Sequence, residues 1–456
     1  MRRKRSLNLQ EILLLTFLAT TFLSVSVPVY ANGSPAYANG SIVDDYPELS
    51  DIADLIGEKN LSVLHLLAFK ACKISMESLS FSAGDSGILV LTDAGYCMIG
   101  DYTTEKCIDV IPIETGCSIG KGSLMIIHRA KGSSLWFAFF KNSTKECVYL
   151  EANSTLLKEY LDRENENPAE KYTIHKEFME LPAEKIFVKT VKEEIGADRL
   201  LNNPEEWQVK MEGKVFGGNE FTIITIANVW AKGMSYDFIQ AAQFHNHICP
   251  GLISGCMIIK YLDKHLPLES PSQEYIILAV PPWCKDDAFQ AILDTTVGKR
   301  KMTVMMLSKE QIEALPENAK NVAGIYIRWD KKAGKGTALV LAFDWDKASK
   351  MCGIKRAWFK DFKSYKWWWA RLKMNLWMMD YLDNPEMFIS TVKEVTIKSP
   401  SELMKLRYAG TNPLAELGIM PKAEIIPTWV YIVIGILLAT NILTIAVWVV
   451  KVRKRT

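Results

Sequence analysis

The feature that most constrains the fold is the segment Phe244–Gly251, which reads Phe-His-Asn-His-Ile-Cys-Pro-Gly. It places three potential metal ligands, His245, His247 and Cys249, at every second position. In an extended segment alternate side chains share one face, so all three can converge on one ion. Pro250 predicts the first turn of a helix, with Cys249 at its N-cap. A thiol at that place lies near the positive end of the helix dipole and ionises more readily.

The two ends of the chain predict a membrane location. Residues 1–31 join a basic start to an apolar run and a small-residue cleavage pattern, which is typical of a secretory signal peptide. Residues 427–450 are almost wholly apolar and predict one transmembrane helix, which would anchor the chain in the lipid bilayer. The basic tail 451–456 is then cytoplasmic by the positive-inside rule. The bulk of the chain is expected outside the cell membrane. An uncleaved N-terminal anchor and a buried C-terminal core helix are the alternatives.

Composition narrows the class of protein further. The chain has 54 basic and 52 acidic residues, so nothing in its charge favours nucleic acid. It has nine cysteines, and an extracytoplasmic location favours disulfides for them. The position of several cysteines inside the motifs favours ligand roles instead. The sequence leaves this question open for Cys72, Cys97, Cys107 and Cys147.

Two stretches of the chain repeat one plan, which indicates an internal duplication. Each stretch, 61–150 and 234–348, runs through a helix, a strand, a short helix, a Gly-Lys turn and further strands. Mixed helices and largely sequential strands predict an α+β fold. The remaining segments are predicted to be a flexible leader (32–60), a linker region (151–233) and a helical region (349–426).

The helical region contains a segment rich in tryptophan, Trp358–Tyr381, in which aromatic and methionine residues alternate with lysines. One interpretation is an amphipathic helix that lies on the membrane surface near the anchor. The other is an aromatic helix that packs against the two repeated stretches. The sequence favours the packed helix.

The chain shows His-x-His-x-Cys-Pro-Gly from His245, Cys-x-x-Asp-Ala from Cys284, and glycine-lysine turns at Lys121 and Lys299. This order of motifs resembles that of the FmdE domain family, which takes its name from formylmethanofuran dehydrogenase. The resemblance implies an α+β, metal-associated and often dimeric domain from an archaeal source. It also implies two divergent tandem copies that form an intramolecular pseudo-dimer.

The two copies match the family unevenly. The second copy has the His-x-His-x-Cys-Pro-Gly element and Cys284 but lacks the later cysteine of the family. The first copy has that later cysteine, Cys117, but lacks the histidine motif. One hypothesis is a single shared site that Cys117 completes. The rival hypothesis is that the first copy has decayed into a packing partner.

The predicted metal ligands are therefore His245, His247, Cys249 and Cys284, with Cys117 as a possible addition. Imidazole and thiolate ligands suit a transition metal ion, Zn²⁺ best. Asp287 is a candidate for hydrogen bonding to a ligating histidine, for proton transfer, or for capping a helix.

These features predict a membrane-anchored, extracytoplasmic metal-binding protein. A metal-dependent hydrolase of the cell surface, with Asp287 as its base, is one alternative. A structural cell-surface protein with a vestigial site is another. The predicted location argues against the reaction after which the family is named, because the cofactors of that reaction are cytoplasmic.

Overall fold

The computed structural model describes residues 40–422 and 428–453. The predicted signal peptide and the first part of the predicted leader, residues 32–39, lie outside the described residues. The described chain is a mixture of helices and two five-stranded sheets, so the predicted α+β class is confirmed. No membrane-spanning helix, long and apolar enough for a bilayer, occurs among the described residues. The predicted transmembrane helix over 427–450 is thus not supported.

The first sheet belongs to a unit that covers residues 63–194 and is preceded by short helices. The elements up to its last strand are α1 (Ile42–Asp45), α2 (Ser50–Ile56), α3 (Val63–Leu79), β1 (Ile88–Thr92), β2 (Met98–Ile99), β3 (Tyr102–Thr103), α4 (Lys106–Thr115), β4 (Leu124–Ile126), β5 (Trp136–Lys141), β6 (Glu146–Ala152), α5 (Ser154–Glu166), α6 (Lys171–Glu180), α7 (Ala183–Ile186) and β7 (Phe187–Glu194).

Several helices then lead to the second unit, which covers residues 250–397. The remaining elements are α8 (Ala197–Asn202), α9 (Pro204–Glu212), α10 (Glu220–Lys232), α11 (Tyr236–His245), α12 (Pro250–His265), β8 (Gln273–Ala279), α13 (Lys285–Ile292), β9 (Met302–Val304), α14 (Lys309–Glu313), β10 (Val322–Asp330), β11 (Lys335–Phe343), α15 (Trp345–Cys352), α16 (Lys366–Met379), β12 (Ile389–Ile397), α17 (Pro400–Lys405), α18 (Pro413–Glu416) and α19 (Thr428–Arg453). Short 3-10 helices occur at Pro47–Leu49, Glu58–Asn60, Pro168–Glu170, Glu317–Ala319, Arg356–Lys360 and Pro385–Met387.

The two sheets have the same topology. Their strand orders are β4-β1-β5-β6-β7 and β9-β8-β10-β11-β12. In each sheet the first pair is parallel, with Val90 opposite Leu124 and Ile277 opposite Met302. The other pairs are antiparallel. The parallel pairs are joined by α4 and α13, as a parallel connection requires a crossover.

The units contact each other through one shared core. This core lies between the two sheets and includes Leu91 and Phe140 of the first sheet, Ile277 and Phe343 of the second, and residues of α10, α11, α12 and α16. The opposite face of the first sheet packs against α3, α5 and α6. The opposite face of the second sheet packs against α17 and α18. Helix α12 is therefore enclosed between two sheets.

Both sheets extend beyond the predicted repeats, which corrects two boundaries. β7 lies in the predicted linker 151–233, and β12 lies in the predicted helical region 349–426. Both are edge strands: after the buried Phe187, exposed and half-buried side chains alternate along β7, and in β12 only the end residues Ile389 and Ile397 are buried. Edge strands carry charged residues toward solvent, and this composition resembles that of a linker.

The predicted flexible leader is also corrected over its described part. α1, α2 and the 3-10 turn between them cover residues 42–56. Their apolar side chains Ile42, Leu49 and Ile52 are fully buried in the core of the first unit. Burial of three aliphatic side chains supplies enough apolar contact to hold this segment on the domain.

The tryptophan-rich segment packs inside the protein. Its main helix, α16, contacts α10 and α12, and Trp368, Met374 and Met378 are fully buried. The indole Nε1 of Trp368 donates a hydrogen bond to Gln208 Oε1 at 3.0 Å. The prediction of a packed aromatic helix is therefore correct for α16.

The cysteines form no disulfide: all nine are free thiols. Cys72, Cys97, Cys107 and Cys147 are buried in the first unit, and burial raises the pKa of each thiol. These four side chains therefore fill the core as small apolar groups.

Candidate metal centre

The segment with the histidine motif connects two helices. His245 is the last residue of α11, and Asn246 follows in the left-handed conformation with φ 60°. Cys249 is extended, with φ −133° and ψ 164°, and caps α12, which begins at Pro250 as predicted. The prediction of one extended segment is wrong at His245, because the left-handed Asn246 ends a helix there. Asparagine adopts this conformation more readily than other non-glycine residues.

His245, His247 and Cys249 nevertheless converge. One donor atom from each lies within 4.8 Å of the other two, so the three residues could hold a metal ion. His245 Nε2 is 3.7 Å from Cys249 Sγ, and the two imidazole ring centres are 4.3 Å apart. Ordinary zinc bond lengths at a tetrahedral angle separate a nitrogen and a sulfur ligand by about 3.6 Å. The spacing of this pair fits such a site.

Cys284 lies beside the same cluster. Its thiol and that of Cys249 both face Gly251: a Cβ placed on this glycine would be 3.4 Å from Cys284 Sγ and 3.5 Å from Cys249 Sγ. Cys284 is the N-cap of α13, which packs closely against α12. A Cβ on Gly255 of α12 would be only 2.6 Å from the backbone oxygen of Lys285, so glycine is required for this approach.

Asp287 stands behind one of the histidines. His245 Nδ1 is 2.7 Å from Asp287 Oδ2, and Gln290 Nε2 donates to Asp287 Oδ1 at 3.2 Å. A carboxylate that accepts from Nδ1 fixes the imidazole orientation and leaves Nε2 for a metal. This arrangement agrees with the hydrogen-bonding role among the three predicted for Asp287.

The charges of the cluster are strongly coupled. Burial disfavours charge on His245, but hydrogen bonds with Asp287 and Cys284 outweigh it and raise the pKa of His245 to about 9. Burial, His245 and Arg371 lower the pKa of His247 to about 3. The hydrogen bond from Cys249 and the nearby His245 lower the pKa of Cys284, whereas the same bond and burial raise the pKa of Cys249. These directions favour a Cys284 thiolate beside a protonated His245, and metal binding would displace protons from the site.

Arg371 is a neighbour of the site that the sequence did not indicate. It lies on α16, and its Nη1 donates to the backbone oxygens of Phe359 and Trp367 at 2.9 and 2.7 Å. Its positive charge interacts with Cys249 and Cys284. The one available signal was an arginine four residues after Trp367, on the same face of a predicted helix.

Cys117 is not part of the cluster. It is buried in the first unit, with Sγ 3.7 Å from the backbone oxygen of Ile88, in the core on the far side of the first sheet. Cys249 belongs to the other core, between the sheets. Cys256 is also buried in that core and serves packing.

One known family model matches part of the chain. Residues 244–397 match the family model described as "FmdE, Molybdenum formylmethanofuran dehydrogenase operon". No curated protein matches the chain. The matched range begins next to His245 and ends with the last residue of β12. The FmdE domain therefore includes α16 and β12, beyond the predicted end at residue 348. Together with the His-His-Cys cluster, this domain suggests a metal-related role.

Proposed function

We propose that the FmdE domain of this chain binds one zinc ion through His245, His247, Cys249 and Cys284. Two imidazoles and two thiolates form a ligand set that zinc occupies in structural and regulatory sites. Zinc is preferred over harder cations because no carboxylate or carbonyl oxygen is needed among the ligands.

The observation that carries the proposal is the line of three groups from Asp287 through His245 to Cys249. The carboxylate fixes Nδ1 of the imidazole at 2.7 Å, and Nε2 is left 3.7 Å from the thiol. A histidine that served only to fill the core would need neither the carboxylate behind it nor a thiol at the ligand spacing.

The site supports metal binding or sensing better than hydrolysis. Zinc hydrolases need a base that can take a proton from the metal-bound water. Asp287 is the base that the sequence offered, but both of its oxygens are engaged, one with His245 and one with Gln290. Its carboxylate therefore positions a ligand and does not face a reacting water.

The location of this function is proposed from the sequence. The basic and apolar residues 1–31 and the apolar residues 427–450 favour an outward-facing protein that is attached to the cell membrane. Membrane fractions washed with alkaline carbonate should retain the full chain and lose a chain truncated after residue 426. Release of the full chain by the same wash would contradict the attachment.

Metal content tests the ligand assignment. The purified full chain is expected to contain about one zinc ion, and His247→Ala and Cys284→Ser should lose most of it. Cys256→Ser is the matched control, because it removes a buried thiol of the same core outside the cluster. Cys117→Ser should also keep its zinc.

Three outcomes would contradict zinc binding or its ligand assignment. Absence of zinc from the wild-type chain after purification in zinc-supplemented buffer would refute zinc binding. Unchanged zinc content in both ligand variants would show that other residues bind the metal. Loss of zinc in Cys117→Ser, with normal circular dichroism, would restore the shared-site hypothesis.

A further inference from the structure

A polar cavity lies at the edge of the first unit, outside the residues that match the FmdE model. It has a volume of about 320 Å³. Its lining comes from the segment between β4 and β5, the start of β5, the middle of β6 and the turn before α10, and consists of charged, polar, aromatic and glycine residues. Pockets for drug-sized ligands begin at about 300 Å³, so this cavity suits a small polar molecule.

Two half-buried residues, Arg129 and Glu151, bring opposite charges to the lining. Within the part of the chain that the structure describes, neither forms an ion pair, with the other or with a third residue. Arg129 donates only through Nη2, to Asn219 Oδ1 and, at 3.4 Å, to Thr222 Oγ1. A guanidinium has five N–H donors, so most of those of Arg129 are left for a ligand.

A ladder of hydrogen bonds along the wall holds the two charged groups in place. Arg129 donates to Asn219, whose Nδ2 donates to the hydroxyl of Tyr149 at 3.2 Å. That hydroxyl donates to Glu151 Oε2 at 3.3 Å and leaves the other carboxylate oxygen for a ligand. Tyr149 is fully buried and Asn219 is 8% exposed, so the ladder is fixed before any ligand arrives.

Two glycines of the turn before α10 shape the cavity. A Cβ on Gly217 would be 2.4 Å from Glu151 Oε2 and 2.5 Å from the Tyr149 hydroxyl, so only glycine lets the backbone approach the ladder there. A Cβ on Gly218 would meet no heavy atom within 4 Å. The turn therefore leaves open space beside the charged end of the ladder.

The length of the ladder limits the ligand. Three hydrogen bonds and one amide group separate Arg129 Nη2 from Glu151 Oε2, a path of about 11 Å at full extension. The direct distance is shorter, because hydrogen bonds at a hydroxyl bend the path. An α-amino acid with one hydrogen bond at each end reaches about 9 Å. A molecule of this size can therefore contact both charged groups.

The donors and acceptors specify the two ends of the ligand. A guanidinium fork matches a carboxylate. The carboxylate of Glu151 accepts from a primary ammonium, which has three N–H donors, whereas a quaternary ammonium has none. The buried carboxyl that Arg129 influences, Asp93, is an incomplete counter-charge, because burial raises its pKa to about 7.

We propose that this cavity binds a free α-amino acid with a small polar side chain, its carboxylate on Arg129 and its ammonium on Glu151. Ser133 and Ser134 line the remaining wall and offer hydroxyl groups to that side chain. The site is separate from the proposed zinc site and adds a second ligand to the chain.

The test is calorimetric titration of the zinc-loaded full chain with L-serine. Two probes each lack one charge: ethanolamine is serine without the carboxylate, and 3-hydroxypropanoate is serine without the ammonium. We expect L-serine to bind more tightly than either probe. Arg129→Gln and Glu151→Gln should each raise its Kd by roughly tenfold or more, as expected for loss of a charged partner. Arg163→Gln and Glu177→Gln are the matched controls, because they remove the same charges from an ion pair between α5 and α6.

A second comparison separates the cavity from the metal, since amino acids also chelate metal ions. Cys284→Ser should lose zinc and keep the Kd of the wild type for L-serine. Zinc content and circular dichroism are measured for every protein, so failure of the zinc site is seen independently of failure of the cavity.

Four results would overturn the proposal. They are absence of binding at millimolar L-serine, equal affinity for ethanolamine or 3-hydroxypropanoate, an unchanged Kd in Arg129→Gln or Glu151→Gln, and loss of L-serine binding together with zinc in a folded Cys284→Ser chain. The first two are measured on the wild type, so they decide the matter even where a variant does not fold.

Discussion

Replacement of Asp287 by asparagine should weaken zinc binding without abolishing it. The carboxylate contacts His245 at 2.7 Å, the short distance of a charge-assisted hydrogen bond. Such bonds contribute about 1.5–3 kcal/mol, and the Asp287 side chain is 35% exposed, which reduces the value through solvent screening. About 1.5–2 kcal/mol remains, which corresponds to a roughly 10- to 30-fold higher Kd for zinc. Asparagine can still accept from His245 through its amide oxygen, so the imidazole keeps its orientation.

The assay is competition with a chromophoric chelator at neutral pH, on the full chain. Asp287→Ala should show a larger loss, about 100-fold, because the imidazole is then no longer oriented. Asp294→Asn is the matched control: this aspartate is exposed, belongs to the same unit and pairs with Lys299. Unchanged affinity in Asp287→Ala, together with complete loss in His245→Ala, would refute the positioning role. Loss of all zinc in Asp287→Asn would instead make Asp287 a direct ligand.

Two further predictions concern the stability of the fold. Burial raises the pKa of Asp93 to about 7. Between about pH 4 and 7 the folded state therefore keeps a proton on Asp93 that the unfolded state has lost. The free energy of unfolding should fall as the pH rises through this range. Asp93→Asn should therefore gain about 3 kcal/mol relative to wild type between pH 4.5 and 7.5 in urea unfolding, and a constant difference would show that Asp93 is not protonated in the fold. Trp368→Ala should lower the free energy of unfolding by about 3–5 kcal/mol in the same assay, because it leaves a cavity at a fully buried position of α16. Trp368→Phe should lower it less. A loss near zero for the alanine variant would show that α16 does not unfold together with the core.

The local chemistry of the site could be predicted from the sequence. The spacing of His245, His247 and Cys249, and a helix that begins at Pro250, depend on residues within one short segment. Cys284 is different, since its place beside Cys249 depends on the close packing of α12 and α13 at Gly255. Only the order of family motifs suggested it, because no local pattern encodes a contact between helices.

The wrong or missing predictions concern residues whose structural role is set by distant parts of the chain and is not visible in the local composition. β7 was predicted as linker because it exposes four of its eight side chains, and half of its residues are charged, as in a linker. For Arg371 the sequence offered only its helical spacing from Trp367, because its partners are backbone oxygens and aromatic rings, which no sequence pattern pairs with an arginine.

The structure also explains why, among the described residues, the candidate metal cluster lies in the second unit although both units share a topology. Helices α3 and α12 begin with caps of nearly the same backbone conformation, Ser62 with φ −141° and ψ 164° and Cys249 with φ −133° and ψ 164°. The caps of α4 and α13 also correspond, with Glu105 at the place of Cys284. The backbone that positions two thiols therefore occurs twice, but the thiols occur once.

In the first unit, side chains accept hydrogen bonds from the backbone N–H groups at the start of α3. The corresponding helix of the second unit, α12, starts beside the candidate metal ligands. His65 Nδ1 accepts from the backbone N–H of Ser62 at 3.0 Å, and Glu164 accepts from that of Val63 at 3.2 Å. The Glu164 carboxylate is itself held by His175 at 2.9 Å. The Glu164 carboxylate thus places a negative charge at the N-terminus of α3, where the helix dipole favours it, as a Cys249 thiolate would do at the N-terminus of α12. The first unit therefore needs no metal to complete this end of its helix, and Cys117, in the core of that unit, has no cluster to join.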